Sequence, residues 1–415
     1  MEQAAKAADE PDAADSDTTD VTDAASLASS LTVILVTSPV QSHPSTELLD
    51  RVLLSLRLLF RDHSGVCCQI VCDGVQQGSK KTKRNTALSE ERIQAYIGYK
   101  QTLISRFGHT CKRCGCGCLC GVRAKHWSQH TPLGALDFSV SELEGWHGFG
   151  WALRYALTLV RTPQVLVLPH DMEFSQSVHL HDVLDLGELC AILADETNSV
   201  EYIGLANPSI LNYAERVRAK SGICLKPQHF TSARHASARR QPTLLLPLFR
   251  WKENPHVANV RQYANVVFGA TAWPKVKRGQ FLEETIGQRQ NGLILAAGSG
   301  KDGGDWREEH AKWGTFLFWP APAAATDGCG NGVPHSNSGL ASPPTFAITH
   351  HLDGHVYRSV AERLAVGHLP HAFELERSEA AARIFVDGQA SLQVQASLQR
   401  DEMANVGTER AHAPM

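Results

Sequence analysis

A chain of 415 residues with 43% hydrophobic content holds material for one large domain or two average ones. Forty basic side chains against 43 acidic ones leave a net charge of −3, without the basic excess that a nucleic-acid partner calls for. No apolar run approaches the roughly 18 residues of a membrane span.

Residues 1–30 are acidic, rich in Ala, Asp and Thr, and contain no aromatic side chain. So little apolar surface cannot offset the entropy of ordering, and a disordered tail is expected. The segment has neither the basic start and apolar stretch of a secretory leader nor the composition of a transit peptide. A soluble, cytoplasmic protein is the default expectation, with the eleven cysteines as thiols or metal ligands rather than disulfides.

The run LTVILVT from Leu31 predicts a buried strand ending at Ser38-Pro39. Ser45 then opens an apolar helical stripe through Leu48, Leu49, Val52, Leu53, Leu56, Leu59 and Phe60. VCCQIVCDG predicts a second strand closing at Asp73-Gly74, so the three elements form a βαβ unit. A basic stretch with Lys80, Lys81, Lys83 and Arg84 leads to a helix over 89–107. Residues 108–130 read as a cysteine-rich insertion, and 141–160 as a loop entering an apolar helix. RTPQVLVLPHDMEF predicts a third strand, and SVEYIGLAN and TLLLPLFRW further ones. A helix is expected over 279–290, and GTFLFW and FAITHHLDGHVY are late strands flanking a flexible loop over 320–344. The main domain thus runs over 31–360, followed by a partly disordered extension over 361–415. Alternating strands and helices imply an α/β fold with a doubly wound, mainly parallel sheet, whose ligands gather beyond the carboxyl ends of the strands.

Asp171 and Glu173, just after the third strand, are two hard oxygen donors suited to Mg²⁺ or Mn²⁺ shared with a diphosphate. A solvated acidic turn is the alternative. Asp73 is placed to accept a hydrogen bond from a nucleobase or ribose, or simply to make a turn. Lys81 and Arg84 can meet a diphosphate or remain solvated. Glu283 and Glu284 diverge by about 100° on a helix, so one faces the cleft as a general base, with Glu284 favoured. His350 and His351 can complete a metal site or bind phosphate.

The order of these elements resembles that of family-2-type glycosyltransferases of the GT-A fold. It runs from a first strand ending in Ser-Pro, to a strand ending in Asp73, then HGFGWALRYAL before VLVLPHDMEF, a late Glu-Glu, and His after a final strand. The resemblance spans about Leu31 to Tyr357 without the insertions. It implies a GT-A (Rossmann-like) mixed sheet flanked by helices with loop insertions. It implies a nucleotide-sugar donor and a hydroxyl acceptor, with inversion at the anomeric carbon. It implies a nucleoside role for Asp73, metal and diphosphate binding for Asp171 and Glu173, a metal or phosphate role for His350 or His351, and the base at Glu284 beside Glu283. Ser38, Lys81 and Arg84 are read from their own positions as further donor contacts. The chain departs from the family's Asp-x-Asp, which reads Asp171-Met172-Glu173. Its Glu-Asp becomes Glu283-Glu284, and no Gln-x-x-Arg-Trp motif is evident.

Cys111-x-x-Cys114 has zinc-ligand spacing, and Cys116, Cys118 and Cys120 follow at intervals that match no standard finger. A structural Zn²⁺ at Cys111 and Cys114 and a reducible surface insertion are both compatible with this pattern. Two further readings keep the fold: a sugar nucleotidyltransferase, although the glycine-rich basic loop after the first strand is missing, and a non-catalytic protein that binds a ligand or partner.

Overall fold

The computed structural model describes residues 27–75, 88–107, 110–113, 124–133, 136–175, 180–232, 242–269, 275–298, 305–319 and 348–351. Residues 1–26, Lys81, Arg84, Cys114, Cys116, Cys118, Cys120, the 320–344 loop and the 361–415 extension lie outside the described residues.

The strands are β1 (Leu31–Thr37), β2 (Val66–Cys72), β3 (Thr110–Arg113), β4 (Ala124–Leu133), β5 (Leu136–Leu143), β6 (Gln164–Pro169), β7 (Met172–Phe174), β8 (Tyr202–Gly204), β9 (Gln228–Phe230), β10 (Thr243–Pro247), β11 (His256–Asn259), β12 (Thr315–Phe318) and β13 (Thr349–His351). The principal helices are α1 (Glu47–Leu59), α2 (Glu90–Phe107), α3 (Phe149–Leu157), α4 (Leu186–Ala194), α5 (Tyr213–Ser221), α6 (Gln288–Gly298) and α7 (Trp306–Ala311). Eleven strands form one sheet in the order β3-β4-β5-β2-β1-β6-β11-β8-β12-β10-β9, and β7 and β13 make a separate ribbon.

The expected α/β architecture is present: β5, β2, β1 and β6 run parallel, and antiparallel partners enter at β4, β11 and β10. All seven residues of β1 are buried, as expected of a strand covered on both faces. Helix α1 buries the stripe predicted by the sequence, including Leu48, Leu49, Val52, Leu53, Leu56 and Leu59. Ser45 serves its entry, its Oγ accepting the Glu47 N–H at 3.2 Å.

Several elements depart from the expectations. Leu136–Leu143, whose end falls in the expected loop over 141–160, is a strand beside β2. Its alternation Leu136, Phe138, Val140 is the signal that marks it. The cysteine-rich stretch contributes β3 and β4, an antiparallel extension of the same sheet, with the Cys111 backbone opposite Trp127. The helix expected over 279–290 is a π-helical turn at Glu283–Gly287 that passes into α6. The short β11, too brief to stand out as a pattern, lies antiparallel between β6 and β8.

Candidate functional site at the carboxyl edge of the sheet

Strand β1 is hydrogen-bonded to β2 on one side and β6 on the other, in registers that set Thr37 beside Cys72 and Val36 beside Pro169. The chain leaves these neighbours in opposite directions, which makes this edge a topological switch point. The Asp73 N–H donates to the Thr37 carbonyl at 2.9 Å and the His170 N–H to the Val36 carbonyl at 3.3 Å. Ser38, exposed, therefore sits between Asp73 and His170-Asp171, which are two strands or on the order of 10 Å apart.

Asp73 is 1% exposed, and its carboxylate accepts three backbone N–H groups, from Gly74, His147 and Gly148, each at 2.8 Å. The Tyr96 hydroxyl donates to its carbonyl at 2.9 Å. These bonds tie the end of β2 to the entrance of α3. Burial pushes the acid up to about 6, while the three N–H groups and the Arg278 charge favour its ionised form. The sequence predicts a nucleoside contact for Asp73; here its carboxylate organises the rim through the protein's own amides.

Residues 275–282 lie over this entrance. Trp151 Nε1 donates to the Val276 carbonyl at 3.1 Å, and the Gly279 N–H to the His147 carbonyl at 2.7 Å. Gly148 and Gly279 both have positive φ, +76° and +75°. A Cβ on Gly148 would stand 2.7 Å from the Gly279 Cα, and one on Gly279 would enter the Trp146 ring. Only glycines permit this approach.

The same segment runs directly into the π turn that carries the tandem acids. Glu283 is pinned: Lys252 Nζ lies 2.7 Å from its Oε1 and the Arg250 guanidinium 3.5 Å from it. Arg250 also donates to the Glu283 carbonyl at 3.3 and 3.4 Å. Glu253 accepts the Leu282 N–H, and burial with the nearby Glu283 pushes its carboxyl up to about 8. Glu284 is exposed. The Arg250–Glu253 cassette is absent from the candidates drawn from sequence, although two bases and an acid directly after an apolar strand are a signal for it.

The ribbon places the other predicted groups. His350 pairs with Glu173 and His351 with Met172, so chain segments more than 170 residues apart meet just beyond β6. Helix α1 packs on β7, where the Ser55 Oγ accepts the Phe174 N–H at 3.1 Å. Arg51 on α1 holds the Glu173 carboxylate through two bonds, at 2.6 and 3.2 Å, and Glu173 is buried. Glu173 is thus engaged by a cation of the protein and does not present an open ligand. Asp171 is half-buried at the strand end. Among the described residues no three His, Cys, Asp or Glu side chains gather as a metal site, and of the β13 histidines the backbone alone is described.

Buried imidazoles line the same edge. The His43 ring stacks on Tyr99, with centroids 4.0 Å apart, and its Nδ1 accepts the Val40 N–H. Burial, with the nearby His170 and Arg92, drives His43 down to about 3, so it stays neutral. His147 falls to about 4 through burial and the Arg278 charge.

No family model matches the chain, and no curated protein matches it. Twenty-seven solved chains do. One is the mannosyltransferase PcManGT from Pyrobaculum calidifontis in complex with GDP-Man and Mn²⁺, at 15% identity and TM-score 0.24, over 44% of this chain and 38% of that one. Another is S. aureus TarS 1–349, at 12% identity and TM-score 0.26, over 57% of this chain and 48% of that one. This chain spans less than half the length of either. Likenesses this slight carry no functional assignment. No helix among the described residues is long and apolar enough to cross a membrane.

Proposed function

We propose that the protein is a glycosyltransferase that moves a sugar from a nucleotide-diphosphate donor to a hydroxyl acceptor. One observation carries the reading: the β7–β13 pairing sets the backbone of His350 and His351 against Met172 and Glu173, at the edge where Ser38 and the Asp73 clamp also lie. Open α/β sheets bind their ligands at such an edge. In the proposed roles Ser38 and Asp73 stand on the nucleoside side of the donor. Glu284, exposed on its π turn while Glu283 is held by Lys252 and Arg250, takes the acceptor's proton. Attack opposite the leaving group would invert the anomeric carbon. A divalent ion, when bound, would be held by Asp171 with His350 or His351 and would supply positive charge toward the diphosphate. Glu173 stays with Arg51.

The test is a panel of UDP-, GDP- and ADP-sugars scored for release of the nucleoside diphosphate. Release is expected from one class. Glu284→Gln should lower kcat by about 10²- to 10⁴-fold with a smaller change in KM. The Arg51–Glu173 pair favours one competing reading, a non-catalytic nucleotide-binding protein. Tight nucleoside diphosphate binding with no release across the panel would establish that reading instead.

A further inference from the structure

We infer that Arg278 and the first turn of α3 form an anion site for the donor's diphosphate, independent of any metal ion; the ligand's identity rests on the sugar-transfer reading above. Arg278 is exposed on the segment that crosses the Asp73 clamp, and its guanidinium lies 6.0 Å from the centre of the Trp151 ring. Its charge is felt by both Asp73 and His147. Lys275 and Lys277 on the same segment are also exposed.

Helix α3 has nine residues and no acid of its own in its first turn; ahead of that turn the His147 and Gly148 N–H groups are taken by Asp73, which leaves the first-turn N–H groups themselves. Such an N-terminus attracts an anion, because its leading N–H groups lack intrahelical partners. A second observation points to a ligand. His147 is 3% exposed, yet its Nδ1 has no hydrogen-bond partner among the described residues. A buried polar atom left open near the Arg278 charge is suited to a polar ligand rather than to more protein. The imidazole lies nearly parallel to the Trp151 ring, at 9° and 6.4 Å between centroids. His147 and Arg278 thus share Trp151 as a common neighbour.

The chemistry follows from the charge that transfer creates. The bond from the anomeric carbon to the diphosphate oxygen breaks and its electron pair stays on that oxygen. The acceptor oxygen forms the new bond, and its proton passes to Glu284. The departing diphosphate gains a negative charge, which a neighbouring guanidinium stabilises most when that charge is fully developed. Arg278 supplies such a cation on the side of the edge away from Glu173, whose own cationic partner is Arg51.

The experiment is calorimetric titration of the full chain with pyrophosphate in EDTA, alongside uridine and guanosine. Pyrophosphate should bind, Arg278→Gln should weaken it at least tenfold, Arg278→Lys should recover part, and nucleoside binding should not change. Because Arg278 is exposed, an unchanged Tm is expected for both variants. Equal pyrophosphate affinity in wild type and Arg278→Gln, or no binding without added Mn²⁺, would overturn the inference. If pyrophosphate binding depends on Arg278 while no sugar donor is cleaved, the anion site stands and the sugar-transfer reading fails. Donor cleavage with no Arg278-dependent pyrophosphate binding leaves sugar transfer standing and removes the anion site.

Discussion

Arg51 and Glu173 face each other across the packing of α1 on β7, joined by two charge-assisted hydrogen bonds of 2.6 and 3.2 Å. The acid is the more deeply enclosed partner, with its side chain 11% exposed against 28% for the arginine. Removing the arginine leaves a buried charge without a counterion, which is costlier than removing both. Arg51→Met should therefore lower the unfolding free energy by about 2 kcal/mol, discounted from the fully buried case for the arginine's exposure. The double variant Arg51→Met/Glu173→Leu should regain much of that loss. Urea denaturation of the two variants measures both values. Binding of Mn²⁺, where detected, should weaken in Asp171→Asn and stay unchanged in Glu173→Gln.

Asp73 gives a pH signature. Its folded value, about 6, stands above its ordinary value of 3.8, so the folded state holds a proton that the unfolded chain has released between those limits. Stability from this group is complete below about pH 4 and lost as pH rises through about 6. Asp73→Asn removes the titration. It also turns one amide hydrogen against the backbone N–H groups that the carboxylate accepted, at a cost of about 1–3 kcal/mol. The stability advantage of wild type over Asp73→Asn should shrink between pH 4 and 6, as read by urea midpoints across that range. A constant difference would show that the clamp does not titrate there.

The strands that define this edge are legible in the sequence because their side chains are buried on both faces. Continuous runs such as Leu31–Val36 and Val165–Leu168 leave little else for the chain to do. Phe138 and Val140 on β5 are equally apolar but alternate with Ser139 and Ser141, so the strand carries a period-two signal that stands out less than a continuous run. The residues of the edge can be picked out from the sequence, but their engagements cannot. That Asp73 bonds amides 74 and 75 positions away, and that Glu173 bonds an arginine 122 positions away, follows from packing, which local pattern does not encode. The pairing of Glu283 with Lys252 and Arg250 is hidden for the same reason.

Gly148 and Gly279 meet where the 275–282 segment crosses the entrance of α3, and each has a φ that side chains disfavour. Gly148→Ala would combine that conformational cost with a contact 2.7 Å from the Gly279 Cα. Gly279→Ala would drive its methyl into Trp146. Each substitution should cost about 2 kcal/mol or more, from left-handed backbone strain plus overlap. Since either one lifts the segment away from the entrance, the second should add little. A double-mutant cycle should therefore show coupling of about 1 kcal/mol or more, and additive losses would mean that the two glycines act on separate elements.

Glu253 offers the last prediction, because its carboxyl lies beside Glu283 while Lys252 and Arg250 are engaged with Glu283 rather than with it. Burial first, and the Glu283 charge second, raise it from 4.5 to about 8, against the favourable bond from the Leu282 N–H. A raised acid stabilises the fold below its unfolded value and withdraws that stability as pH climbs through the folded one. The window here runs from about pH 4.5 to about 8. Ionisation would place a second negative charge against Glu283 at the base of the π turn that carries Glu284, so the turn should loosen as well as the fold. Glu253→Gln keeps an acceptor for the Leu282 N–H and cannot ionise. It should flatten the decline in Tm between about pH 4.5 and 8 and slow amide exchange at Glu283–Gly287 at the upper end of that range. Identical Tm profiles for the two proteins would show that Glu253 does not gain its charge in that interval.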